Sequence, residues 1–137
     1  MLYPAKFELQ DDGCYVVSFR DIPEALTQGY SLDEARTQAK DVLIDALDFY
    51  FEDNRPVPQP SELQEGEELV EMPMSVWAKV LLLNAMLEKR VSQSDLAKLL
   101  HKNRQEMQRI VDLNHNTKID TVVDALKLLG KQPVFSI

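Results

Sequence analysis

Between Glu52 and Gly66 the chain carries Pro56, Pro58, Pro60 and Ser61 among several carboxylates, and no helix can continue through such a stretch. The segment separates two kinds of hydrophobic pattern. Before it, apolar residues alternate and then form one helical stripe; after it, from Pro73 onward, four helical patterns follow with short connections. The proline-rich segment itself is expected to be an extended connection that runs over the surface and invites proteolysis.

In the front part, Tyr3, Ala5, Phe7 and Leu9 alternate with Pro4, Lys6 and Glu8, the two-residue period of a strand with one buried face. Tyr15, Val17 and Phe19 alternate with Cys14, Val16 and Ser18 in a second strand. Asp12-Gly13 between them tolerates the positive φ of a tight hairpin. Gly29 and Tyr30 suggest a third short extended piece. Ser31 and Glu34 then have the spacing of a capping box, and Leu32, Ala35, Ala39, Val42, Leu43, Ala46, Phe49 and Tyr50 make an apolar helical stripe able to cover a sheet. Ile44, Leu47 and Phe51 form a second, offset stripe, which is either a widening of the core or a contact with another chain. Glu68 to Met72 reads as a returning strand.

In the rear part, Ser75 is a candidate cap for the first helix, and Ser92 with Asp95 and Thr117 with Asp120 repeat the capping-box spacing. Gly130 and Pro133 end the last helix. Leu96, Ala97, Leu100, Met107 and Ile110 have the spacing of a helix-turn-helix interior, with the small Ala97 where two helices approach and the turn at Leu100 to Asn103. The second of these helices presents Arg104, Gln105, Gln108 and Arg109. Such a face is either simply solvated or suited to DNA, because Arg grips guanine edges or phosphates and Gln pairs with adenine. The spacing, the Arg/Gln face and the local charge together favour DNA.

Charge divides with the pattern. Residues 1–72 hold 17 Asp and Glu against 5 Lys and Arg, a net of −12, and residues 73–137 hold 6 against 10, a net of +4. The total of −8 therefore conceals two modules with different partners. The expected domains are 1–72, acidic and including the Glu52–Gly66 connection, and 73–137, basic.

Other functions find little footing. The longest purely apolar run, Val80 to Leu83, is too short for a membrane span, and the N-terminus has neither the basic flank nor the apolar segment of a signal peptide. A single cysteine excludes an internal disulfide, so a cytoplasmic location is expected. Glu8, Asp11, Asp12 and Asp21 are the carboxylates a metal-dependent nuclease could use, but Asp11 and Asp12 fall where a hairpin turn favours Asp anyway, and no helix residue completes a cluster. His101, His115 and Cys14 lie in different elements without metal-ligand spacing. Neither catalytic residues nor a cofactor are expected.

Gln93-x-x-Leu96-Ala97-x-x-Leu100, Arg104-Gln105-x-Met107-x-Arg109-Ile110, Ile119-Asp120-x-Val122 and Leu128-Leu129-Gly130 resemble the Xre/lambda-repressor type of helix-turn-helix. Asp12-Gly13-x-Tyr15-x-Val17-x-Phe19, Asp21-x-Pro23, Gly29 and Ser31-x-x-Glu34-Ala35 resemble the HicB antitoxins. The two patterns cover nearly the whole chain, and their order is similar to that of HicB proteins of the enterobacterial type. The resemblance implies an α+β chain: a strand-strand-strand-helix-strand, partial RNase H-like module followed by an all-helical helix-turn-helix module.

It further implies a bacterial type II antitoxin that sterically inhibits a HicA-type toxin, a small basic mRNA-cleaving ribonuclease, and that represses its own operon as a homodimer, or a higher oligomer with the toxin, on operator double-stranded DNA. Gln93 matches an expected phosphate contact, and Arg104, Gln105 and Arg109 match positions that reach bases or flanking phosphates; Gln108 and the turn residue Asn103 join them. His101 stands where the family usually has Gly in a positive-φ turn. For the toxin, the charge of the front module suggests Asp21, Glu24, Asp41, Asp45 and Asp48, with Ile44, Leu47 and Phe51 as the rival surface. The competing function is a ligand-sensing helix-turn-helix regulator without a toxin partner.

Overall fold

A computed structural model describes all of residues 1–137. Its elements are β1 (Leu2–Leu9), β2 (Tyr15–Phe19), β3 (Leu26–Gly29), α1 (Leu32–Glu52), β4 (Glu67–Glu71), α2 (Met74–Lys89), α3 (Gln93–Leu99), α4 (Arg104–Val111) and α5 (Ile119–Leu128). The fold is α+β, with an antiparallel four-stranded sheet in the order β3-β2-β1-β4 followed by helices. Two compact units form: Met1–Phe49 with Pro58–Pro73, and Tyr50–Val57 with Met74–Ile137.

In the first unit, Ala5 lies opposite Phe19, Phe7 opposite Val17, and Tyr3 opposite Val70. These pairs share one sheet face, and Tyr3, Ala5, Val17, Phe19 and Val70 are buried. Burial fades toward the hairpin, where Leu9 is 63% exposed although the alternation places it inward. Gly13 turns the hairpin at φ +86°, and the Asp12 carboxylate accepts from the Cys14 N–H at 2.9 Å. Cys14 precedes β2 and is buried, so it is not the outward-facing strand residue expected from the alternation.

Ser31 caps α1 by accepting from the Glu34 N–H at 3.1 Å, while the Glu34 carboxylate accepts from the Tyr30 N–H at 3.4 Å. Gly29 admits this helix start closely: a Cβ there would lie 2.5 Å from the Ala35 nitrogen. The buried face of α1 is Ala35, Ala39, Leu43, Ala46, Leu47 and Tyr50. One expectation is corrected, and of the two readings of the second stripe Leu47 takes the core one. Phe49 is 53% exposed and Leu47 fully buried, because Leu43, Ala46, Leu47 and Tyr50 keep the i, i+3, i+4, i+7 spacing of one face whereas Phe49 falls outside it.

The connection after α1 is also tied down more than its composition suggests. Tyr3 donates its hydroxyl to the Pro58 carbonyl at 2.7 Å. The Asp21 carboxylate accepts from both the Ser61 N–H and its hydroxyl, and Arg20 donates to Ser61, to the Glu62 carbonyl and to the Glu67 carboxylate.

In the second unit α2 is the central helix, buried on most sides, with α4 and α5 packed against it and α3 against α4. Ala78, Leu82, Ala85 and Met86 of α2 meet Leu96, Ala97, Met107, Ile110, Val122, Ala125, Leu126 and Leu129 in one apolar cluster. Ser92 and Asp95 cap α3 reciprocally, as their spacing predicts. Ser75 lies inside α2, which begins at Met74, and so is not its cap. Thr117 does not cap α5 either: the N-cap is Lys118, and the Thr117 hydroxyl is committed to the Arg109 carbonyl at 3.2 Å. Gly130, at φ +77°, terminates α5, with the Lys131 N–H donating to the Leu126 carbonyl.

Candidate functional site

Backbone hydrogen bonds fix the connection between α3 and α4. Leu100 caps α3, His101 takes φ +56°, and the N–H groups of His101 and Lys102 return to the carbonyls of Lys98 (3.2 Å) and Ala97 (2.9 Å). This is the Schellman ending, which needs a left-handed residue at His101. Asn103 then opens α4: its side chain accepts from the Glu106 N–H at 2.8 Å, and the Glu106 carboxylate accepts from the Asn103 N–H at 3.1 Å. The Asn-x-x-Glu spacing is a capping box that sequence reading overlooked, so part of the Asn103 side chain is spent on its own helix.

Met107 and Ile110 fix the inner face of α4, leaving Arg104, Gln105, Gln108 and Arg109 exposed together. Gln93 begins α3, and its side-chain oxygen accepts from Gln108 Nε2 at 3.4 Å, linking the two helices at their outer edge. A cleft of about 540 Å³ runs beside them, with Gln93, Ser94, Lys98, Lys102, Arg104 and Gln108 among its lining residues and no carboxylate. Long donors and cations therefore converge on one face, the chemistry that reads base edges and neutralises phosphates.

A residue that sequence reading missed supports this face from behind. Lys79 of α2 is 3% exposed, and its ammonium donates to the carbonyls of Asp112 (2.6 Å), His115 (2.7 Å) and Arg109 (3.2 Å). Burial holds its pKa below the usual lysine value, and the Asp112 carboxylate offsets only part of that shift. Its signal in the sequence is a lone cation within the apolar run Val76-Trp77-Ala78-Lys79-Val80.

The acidic candidates of the first unit do not form one cluster. Asp21 is held by Ser61. Glu24 is half-buried, and Asp41, Asp45 and the half-buried Asp48 follow one another at i, i+4 and i+7 along α1. Ile44 and Phe51 are half-buried, whereas the fully buried Leu47 offers a partner no surface. The exposed aromatic beside the Asp41–Asp45–Asp48 row is Phe49. No three His, Cys, Asp or Glu side chains come together to hold a metal ion, and no helix is long and apolar enough to cross a membrane.

The family model described as a HicB-like antitoxin of a bacterial toxin-antitoxin system matches residues 2–81. The chain is 55% identical over 131 residues to Antitoxin HicB 2 of Photorhabdus laumondii, covering 96% of this chain and 92% of that one. It is 50% identical over 132 residues to Antitoxin HicB of Escherichia coli K12, covering 96% of each. Antitoxin HicB of Pseudomonas fluorescens is 35% identical over 129 residues, 93% of this chain and 88% of that one.

Proposed function

The chain belongs to the HicB-like antitoxin family of bacterial toxin-antitoxin systems, and from that premise we propose that it neutralises a HicA-type mRNA-cleaving ribonuclease and represses its own operon. It is an antitoxin and not an enzyme, so both activities are acts of binding. The acidic residues 1–72 complement a basic ribonuclease, accelerate encounter and cover its active face. Operator DNA and an mRNA-cleaving toxin are both met in the cytoplasm, which supports that location.

The observation that carries the operator reading is the α3–α4 pair, joined at His101, with Arg104, Gln105, Gln108 and Arg109 exposed on one face of α4. The net +4 of residues 73–137 is modest, so one copy binds weakly and a homodimer holding two half-sites supplies useful affinity. Two-fold symmetry sets the half-sites about one helical turn, ~10 base pairs, apart or a multiple of it. The proposed intersubunit elements are the last helix, α5, and Val134, Phe135, Ser136 and Ile137, whose apolar alternation suits a strand between subunits.

Co-expression with the adjacent small open reading frame tests the reading. Restored growth and co-purification of a small basic protein are expected. Failure of both, together with operator affinity that responds to a small molecule, would replace it with the ligand-sensing regulator.

A further inference from the structure

The α4 helix has eight residues and is therefore only about 12 Å long. Met107 and Ile110 are its two buried residues, so packing alone holds it near its middle. Its first turn is fixed by Asn103 and Glu106. At the other end the Arg109 carbonyl accepts the capping N–H of Asp112 at 3.3 Å and the Asp112 carbonyl accepts from the His115 N–H at 3.1 Å, and each oxygen, having two lone pairs, takes a further donor. Both, with that of His115, point at one ammonium, Lys79 Nζ, at 3.2, 2.6 and 2.7 Å.

That ammonium is an expensive choice for its position. Val76, Ala78 and Val80 around it are buried, and an aliphatic side chain would fill the site without the cost of desolvating a cation. A lysine has three donors and no acceptor, and here three carbonyls meet them, so the charge is fully used. The same segment is wired further: Thr117 donates to the Arg109 carbonyl, His115 Nδ1 lies 3.0 Å from the Thr117 hydroxyl, and the Asp112 carboxylate accepts from the Asn114 N–H. The C-terminal end of α4 is thus referenced to α2, the central helix of the unit.

We propose that Lys79 is a positioning residue for operator recognition: by gathering the carbonyls of Arg109, Asp112 and His115, it sets the angle at which α4 presents Arg104, Gln105 and Arg109 to base edges. Bidentate base pairing by a side chain tolerates only small displacements, whereas phosphate contacts through long side chains tolerate much larger ones. Loosening the end of α4 therefore lowers discrimination between sequences more than affinity for DNA as such. The inference rests on the operator reading above and names the group behind the reading helix.

The test uses the full chain, a duplex from immediately upstream of its own gene, and a scrambled duplex of the same length, compared by fluorescence anisotropy at fixed salt. For Lys79→Met with wild-type helical circular dichroism, the preference for the upstream duplex should fall tenfold or more while affinity for the scrambled duplex stays within twofold. A simple loss of folded protein would lower both affinities alike. Preference within twofold of wild type in folded Lys79→Met overturns the inference. Should Lys79→Met not fold, Lys79→Gln decides: with two donors it should lose threefold or more of the preference, and unchanged preference in the folded variant overturns the proposal. Wild-type protein without any preference removes the operator reading itself, and the inference with it.

Discussion

The side-chain amide of Asn84 closes on both backbone groups of Val57, accepting from its N–H at 2.8 Å and donating to its carbonyl at 3.0 Å. Val57 stands between Pro56 and Pro58, neither of which has an N–H, and it is buried. Asn84 on α2 therefore supplies what a neighbouring strand would supply elsewhere. Asn84→Leu leaves both groups without a partner and should cost about 2–3 kcal/mol. Urea denaturation should show the loss, and limited proteolysis should cut faster between residues 52 and 60. Unchanged stability and cleavage would mean that the segment is held without this pair.

On the operator reading, base readout and phosphate contact should separate by mutation. Arg104→Ala with Gln105→Ala should remove discrimination, at a cost on the order of 1–3 kcal/mol for each base that is no longer read. Lys98→Ala should instead weaken binding to every sequence alike and reduce the slope of log affinity against log salt by about 1. Operator binding that survives the double change at moderate salt would show that α4 is not the reading helix.

The parts of this arrangement that are legible in the sequence are the local ones. Strand alternation, the Asp12-Gly13 hairpin, the Ser92/Asp95 box and the stop at Gly130 each depend on neighbours a few residues away, whereas the positive φ at His101 is legible only through the family resemblance. Asn103 and Glu106 are equally local, but Asn103 also suits DNA, and that second role hides the cap. What the sequence could not place is long-range: Asp21 meets Ser61 40 residues on, and Lys79 meets Arg109 30 residues on. Thr117 illustrates the competition, since its hydroxyl has a capping role by spacing and a different acceptor in space. In α1 the buried face takes Leu43, Ala46 and Tyr50 from one apolar stripe and Leu47 from the other and leaves Phe49 in solvent, a division that the apolar pattern alone does not make.

His101 occupies a left-handed position at φ +56°, where its Cβ is unfavourable and a glycine is at ease. His101→Gly should keep or raise stability, by up to about 1 kcal/mol, and His101→Val should lower it by about 1 kcal/mol or more. Calorimetry should find the Tm of His101→Gly at or above that of the wild type and the Tm of His101→Val below it. A clear loss with Gly would mean that the imidazole contributes more than the backbone strain it imposes.

Four carboxyls are held below their ordinary range. Hydrogen bonds from Arg20 act on Glu67, from Arg36 on Glu68, from Lys131 on Glu88, and from the Ser92 backbone on Asp95. The unfolded chain therefore takes up protons before the folded one as pH falls, and stability present above about pH 5 is lost progressively below it. Tm should be flat from pH 7 to about 5 and fall toward pH 3, with a shallower fall in Arg20→Gln, which removes the largest of the hydrogen bonds holding Glu67 down and leaves that from the Gln64 N–H. An identical fall in that variant would assign the acid sensitivity to other groups.

Residues 131–137 lie outside any helix or strand, and Val134 and Phe135 are 81% and 75% exposed. Pro133, Val134 and Phe135 border an apolar cleft with Met74, Trp77, Leu81 and Ile119. If the chain is the homodimer proposed above, a two-fold axis would let this one surface supply both the protruding groups and the cleft. Deleting residues 133–137 should raise the dimer dissociation constant tenfold or more in sedimentation velocity. Operator affinity should fall with it, because each half-site is then bound without the help of the other. At concentrations where both chains are monomeric, the Tm of the shortened chain should change little, since the deleted side chains are mostly in solvent. A dimer of unchanged strength would remove these residues from the interface and move the search to the exposed faces of the helices themselves.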